Sequence, residues 1–174
     1  MMRWIAIVLF SFLLLAFESP LLVKAKAGAY APDLALIVVL YIAFIAPYEV
    51  GLVAVLCVGL FKDAFSMTAP IGLHMEVLAL TFIVVHRLSQ RIDLRGPVSV
   101  LALTAAASIA TSLLELGFCL IFDQTFNASA RTTGVVLAAM LPQALLTAPF
   151  GPVIFWLLGQ LEALTTRKSE SIYT

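Results

Sequence analysis

Residues 32–63 read PDLALIVVLYIAFIAPYEVGLVAVLCVGLFKD, two apolar runs parted by Pro47-Tyr48-Glu49 and closed by Lys62-Asp63. Pro32 fits the first turn of a helix, where its missing N–H costs no hydrogen bond. Asp33 favours the same helix start through the dipole. The first run extends from Leu34 to Ala46 and the second from Val50 to Leu60. A single helix from Leu34 to Asp63 would be about 45 Å long at 1.5 Å per residue, well beyond a hydrocarbon core of about 30 Å. Two tightly joined helices are therefore expected, with one helix kinked at Pro47 as the alternative.

The same texture continues on both sides. An apolar block from Trp4 to Val23 carries Glu18 and Pro20 and is flanked by Arg3, Lys24 and Lys26. It reads as a spanning helix, and its competing reading is a cleavable signal peptide with Ala25-Lys26-Ala27 as the small-residue site. Beyond residue 63, a break at Ser66 to Pro70 leads into a block from Ile71 to Val85, which ends in Arg87, Arg91 and Arg95. Pro97 closes that loop. A fifth block, Val98 to Phe122, is rich in Ala, Ser and Thr and sets Ala107, Thr111 and Glu115 at successive i+4 positions on one face. Small residues at that spacing let helices approach closely in lipid. A sixth region, Gly134 to Leu164, holds Pro142, Pro149 and Pro152, which should bend it or cut it in two.

Composition agrees with this pattern. Of 174 residues, 63% are hydrophobic and 11% charged, where a soluble domain carries about a quarter charged. The fold expected is an all-α, polytopic membrane protein of about six transmembrane helices, one domain over residues 1–174. Net charge is zero, so no basic stripe suits nucleic acid. Cys57 and Cys119 sit in apolar segments and read as small core residues rather than a disulfide or metal pair. An even helix count puts both termini on one side. Arg3, Arg87, Arg91, Arg95, Arg167 and Lys168 then lie on that side, against Lys24, Lys26, Lys62 and Arg131 on the other. The positive-inside rule makes the termini cytoplasmic.

Ionisable residues within apolar segments each need a reason, since insertion costs roughly 2.5–3.5 kcal/mol at a helix centre. Lys62 and Asp63 read either as an interfacial helix end, with Lys62 snorkelling outward, or with Asp63 buried against a neighbouring helix. His74 and Glu76 are two positions apart on one helix, so their side chains diverge by about 200° and do not aim at one point. Glu115 lies on the small-residue face and is expected to meet protein. No arrangement of nucleophile, base and orienting group emerges, and neither a cofactor nor a metal site is expected.

Gly59-x-x-x-Asp63, a short Ser-bearing break, and Pro70-Ile71-Gly72-Leu73-His74 leading into a new apolar helix resemble the bacterial rod-shape-determining MreD family. Pro32-Asp33 before a Leu and Val run, the break at Pro47, and Leu141-Pro142-Gln143 before a Pro-interrupted final helix and basic tail are similar to it as well. The resemblance covers most of the chain. It implies an inner-membrane, non-catalytic scaffold of the cell-elongation machinery. Such a scaffold binds a bitopic MreC-like protein and links cytoplasmic filaments to peptidoglycan synthesis by a RodA-type polymerase and a class B penicillin-binding protein. It further implies similarity in fold to the substrate-binding subunits of energy-coupling-factor transporters. The alternative function is accordingly a vitamin-like small-molecule binder, which should gather convergent polar and aromatic groups around a cavity. A proton-coupled carrier using Asp63 and Glu115 is a third reading, and it lacks the paired broken helices of such carriers. The residues expected to carry structure or partner binding are Gly59, Asp63, Pro70, Gly72, His74, Ala107, Thr111, Glu115 and Pro142.

Overall fold

The computed structural model of the chain describes residues 2–25, 32–65, 72–91, 96–126 and 133–170. Every regular element among them is a helix: α1 (Met2–Ala25), α2 (Leu34–Ile45), α3 (Tyr48–Phe65), α4 (Leu73–Ser89), α5 (Pro97–Phe126) and α6 (Thr133–Glu170). Pro47 divides α2 from α3 as expected, and α3 starts earlier than its apolar run, at Tyr48. Two stretches, Pro97–Phe118 and Met140–Leu164, are long and apolar enough to cross a membrane.

The bundle is built around α2. Nine consecutive residues of this helix, Ala35 to Ala43, are buried, so over that stretch it has no outward face. A helix that is apolar on every side belongs in such a position. It packs on α1, α3, α4, α5 and α6. Tyr41 reaches from it to α6, where its hydroxyl donates to Glu162 Oε2 at 2.8 Å and its ring meets Phe155 edge-on. The first helix is part of the same bundle. Ile7, Ser11 and Leu15 are buried, and the Phe12 ring lies 5.1 Å from Phe61 and 5.7 Å from Phe65 of α3.

A buried helix leaves backbone groups that water cannot reach, and two prolines make the problem acute. Pro47 has no N–H, so Ala43 C=O, four residues earlier, loses its helical partner. Two side chains of α4 replace it: His86 Nδ1 lies 2.9 Å and Ser89 Oγ 3.3 Å from that oxygen. The His86 ring is held by stacking on Phe82, at 5.4 Å. Pro152 strands Ala148 C=O in α6 in the same way, and the Thr104 hydroxyl of α5 stands 3.4 Å from it. Of the two expectations for the last region, a bend or a cut in two, the cut is corrected: α6 runs as one helix through Pro142, Pro149 and Pro152. Freed carbonyls in a helix are tolerated when a neighbouring helix supplies a donor.

Close approach between helices rests on glycine. A Cβ on Gly59 would come within 2.5 Å of the Met75 backbone, and one on Gly151 within 2.6 Å of the Thr104 side chain. Each site therefore holds two helices nearer than any larger residue allows. One expectation about packing changes here. Cys57 is a half-buried free thiol rather than a core residue, while the side chain of Cys119 lies outside the described residues.

Gly59→Ala and Gly151→Ala should each destabilise the purified protein by about 1–3 kcal/mol, because backbone or a β-branched side chain must shift. Nothing lies within 4 Å of the corresponding position at Gly117 or Gly159. There the same change should be neutral or stabilising, by up to about 1 kcal/mol. Thermal unfolding of the four variants in detergent separates the two classes.

Candidate functional site

Four ionisable residues of the apolar segments, Lys62, Asp63, His74 and Glu115, meet with Asp33 at one end of the bundle, where α3 ends, α2 and α4 begin, and α5 passes. Consecutive residues on a helix point about 100° apart, and Lys62 and Asp63 use that divergence to serve different neighbours. Lys62 turns inward to Asp33, with Nζ 2.6 Å from Oδ2. The outward, snorkelling reading of Lys62 is thereby corrected: its side chain is 19% exposed and its partner 6%. An antiparallel hairpin turning at Pro47 places the start of α2 beside the end of α3, which is why this pair can form.

Asp33 also terminates its own helix. Its Oδ1 accepts from Leu36 N–H at 3.1 Å, the usual side-chain cap for a helix start. Its backbone N–H donates to the Thr147 hydroxyl of α6 at 3.0 Å, and that hydroxyl donates onward to Gln143 C=O at 2.7 Å. One residue thus joins α2, α3 and α6.

Asp63 does for α4 what α4 cannot do for itself. The residue before that helix is Gly72, with φ of 101°, a left-handed conformation that glycine adopts without strain. Glycine has no side chain with which to cap the free N–H groups of the first turn. Asp63 supplies the acceptors from α3: Oδ2 takes Gly72 N–H at 3.0 Å and Met75 N–H at 3.2 Å, and Oδ1 takes His74 N–H at 3.0 Å. The His74 ring completes the set, with Nδ1 2.8 Å from Oδ1. Four donors on two oxygens match the acceptor capacity of an ionised carboxylate, and the side chain is 1% exposed. The interfacial-charge reading of Asp63 is thereby set aside.

The spacing Gly59-x-x-x-Asp63 now has a physical meaning. Residues four apart share a helix face, so Gly59 lets α4 come close at the level of Met75 and Asp63, one turn on, receives its N-terminus.

His74 is buried and Glu76 exposed, as their divergence requires. On α5, Ala107 and Thr111 are buried, and Glu115, one turn further, brings Oε1 to 3.9 Å from His74 Nε2. The face expected to be either internal or partner-binding is thus internal. Pro142 lies half-buried within α6 and is not part of this corner. Pro70 lies outside the described residues, as does the side chain of Glu18.

Sequence reasoning missed the inward turn of Lys62, the role of Thr147, and the meeting of His74 with Glu115. Opposite charges near the two ends of a helical hairpin were a readable signal for the first. The other two join residues of unrelated helices, and no local pattern marks them. Among the described residues, no group of three or more His, Cys, Asp and Glu is placed to hold a metal ion. The arrangement can fix helices against one another through charge-assisted hydrogen bonds. Compared with family models, curated proteins and solved structures, the chain matches none of them.

Asp63→Ala leaves the start of α4 and the His74 ring without their acceptor, and should cost about 3–5 kcal/mol. Asp63→Asn, which keeps the volume and one acceptor oxygen, should cost less. A double-mutant cycle between Asp33→Ala and Lys62→Ala should give a coupling of roughly 0.5–3 kcal/mol. Equilibrium unfolding of the purified protein measures all three, and a coupling of zero would mean that the Asp33–Lys62 contact contributes nothing.

Proposed function

We propose that the chain is a multi-pass inner-membrane protein of the MreD family, with six transmembrane helices and both termini in the cytoplasm. Its role is that of a non-catalytic scaffold of the cell-elongation machinery, held to a bitopic MreC-like partner. The observation that carries the reading is the use to which the resembling residues are put. Gly59, Asp63, Gly72 and His74 converge on one buried joint, and every hydrogen bond of Asp63 fixes the start of α4. A rigid support for other proteins needs joints of this kind, whereas a small-molecule binder needs polar groups turned toward a cavity.

The outward surfaces support the membrane assignment. Ile5, Leu9 and Phe17 of α1, Val98 and Ile121 of α5, and Leu145 and Trp156 of α6 all present large apolar side chains outward. In water such a surface would be an aggregation liability, and in lipid it is the matching face. With Ala107 and Thr111 taken up inside the bundle, the partner helix is left the outer apolar faces.

A fluorescent protein fused after Thr174 should be bright, and alkaline phosphatase fused there should be inactive. The reverse pair of results would overturn the topology. Mild extraction followed by purification should recover an MreC-like bitopic protein together with wall-synthesis enzymes. Recovery of a bound vitamin and an ATPase module instead would replace the scaffold reading with the transporter one.

A further inference from the structure

The outward side of α4 carries one narrow stripe. At 100° per residue, Glu76, Leu80, Val84 and Arg87 fall within about 80° of one another around the helix, and all four are exposed. Gln90 keeps helical dihedrals, with φ of −69° and ψ of −13°, and Arg91 N–H donates to Leu88 C=O at 2.9 Å. Arg91, also exposed, therefore continues the stripe. Apolar surface gives way at this end to two arginines whose Cα atoms lie about 6 Å apart along the axis. Among the described residues neither arginine has an ion-pair partner.

Tyr48, at the start of α3, stands at the same level. Its ring lies 6.0 Å from Phe82 and 5.7 Å from His86 of α4, and it is exposed. An exposed tyrosine beside arginines, with Val84 63% exposed one turn before them, is the pattern of a helix crossing from hydrocarbon into lipid headgroups. We infer that Arg87 and Arg91 together hold the phosphate of an anionic phospholipid in the leaflet at this end of α4, with its acyl chains lying along Val84 and Leu80.

The chemistry of the two groups selects the ligand. A guanidinium offers parallel N–H donors that match phosphate oxygens two at a time, and it stays charged at any physiological pH. Phosphatidylethanolamine carries an ammonium of its own that offsets its phosphate, whereas phosphatidylglycerol presents the phosphate charge alone. The acid on the stripe does not interfere, because Glu76 lies eleven residues before Arg87, about 16 Å back along the axis. In the proposed topology this end of α4 faces the cytoplasm, so the lipid belongs to the inner leaflet. The inference rests on the membrane reading and is independent of which partner the protein serves.

Native mass spectrometry of the full-length protein, purified in detergent with equimolar phosphatidylglycerol and phosphatidylethanolamine, counts the lipids retained. Each arginine near an anionic headgroup contributes a preference of about fivefold. The wild type should therefore retain phosphatidylglycerol roughly 25-fold over phosphatidylethanolamine, Arg87→Gln or Arg91→Gln about fivefold, and the double variant neither over the other. Glu76→Gln, on the same stripe, should leave the wild-type ratio unchanged. Excess inorganic phosphate should not displace the lipid, since it has no chains to lie on Val84 and Leu80, and displacement would overturn the lipid assignment. Equal retention of the two lipids by the wild type would overturn the proposal without recourse to any variant. An unchanged preference in the double variant would overturn it equally. Recovery of the chain from cells in the soluble fraction, without detergent, is the separate result that would overturn the membrane reading beneath it.

Discussion

A helix buried on every side along most of its length sets the terms for everything around it. At twelve residues α2 is about 18 Å long, and its free backbone groups are met at both ends by side chains. An unmet buried backbone group costs about 1–3 kcal/mol, so every such group has to be met from a neighbouring element. At the first end Asp33 caps the helix and is held by Lys62. At the second, Ala43 C=O loses its partner to Pro47 and is met by His86 and Ser89. Asp33, Lys62, His86 and Ser89 are placed to answer that requirement.

The same requirement explains why α6 persists through its prolines. A proline inside a helix removes one N–H and leaves a carbonyl exposed, and in water that carbonyl would be solvated and the helix would bend or end. Here Thr104 faces Ala148 C=O, and Gly151 allows α5 to come near enough for the hydroxyl to matter. Helix packing and backbone satisfaction are in this way one problem. The glycines set the distance, and the side chains made reachable at that distance replace the missing donors.

A joint built from Gly59, Asp63, Gly72 and His74 fixes α4 against the end of α3. It also gathers buried charge, and Asp33 and Asp63 each find their partners there. On the α5 side, Glu115 Oε1 approaches His74 Nε2 to 3.9 Å.

Much of this was legible in the chain itself. The lengths of the apolar runs and their proline and glycine punctuation determined an all-α fold and two helices on either side of Pro47. Asp63 and His74 stood out as ionisable residues within apolar segments, whereas Gly59 and Gly72 were marked by a resemblance in motif and not by that punctuation. Tertiary structure alone decided which way Lys62 turned, whether α6 broke, and what His74 faced. Each of those outcomes depends on a group from a distant part of the chain, Asp33 for Lys62, Thr104 for Ala148 and Glu115 for His74. A proline or a buried charge states a need in the sequence, and only the packing of helices determines which neighbour is close enough to meet it.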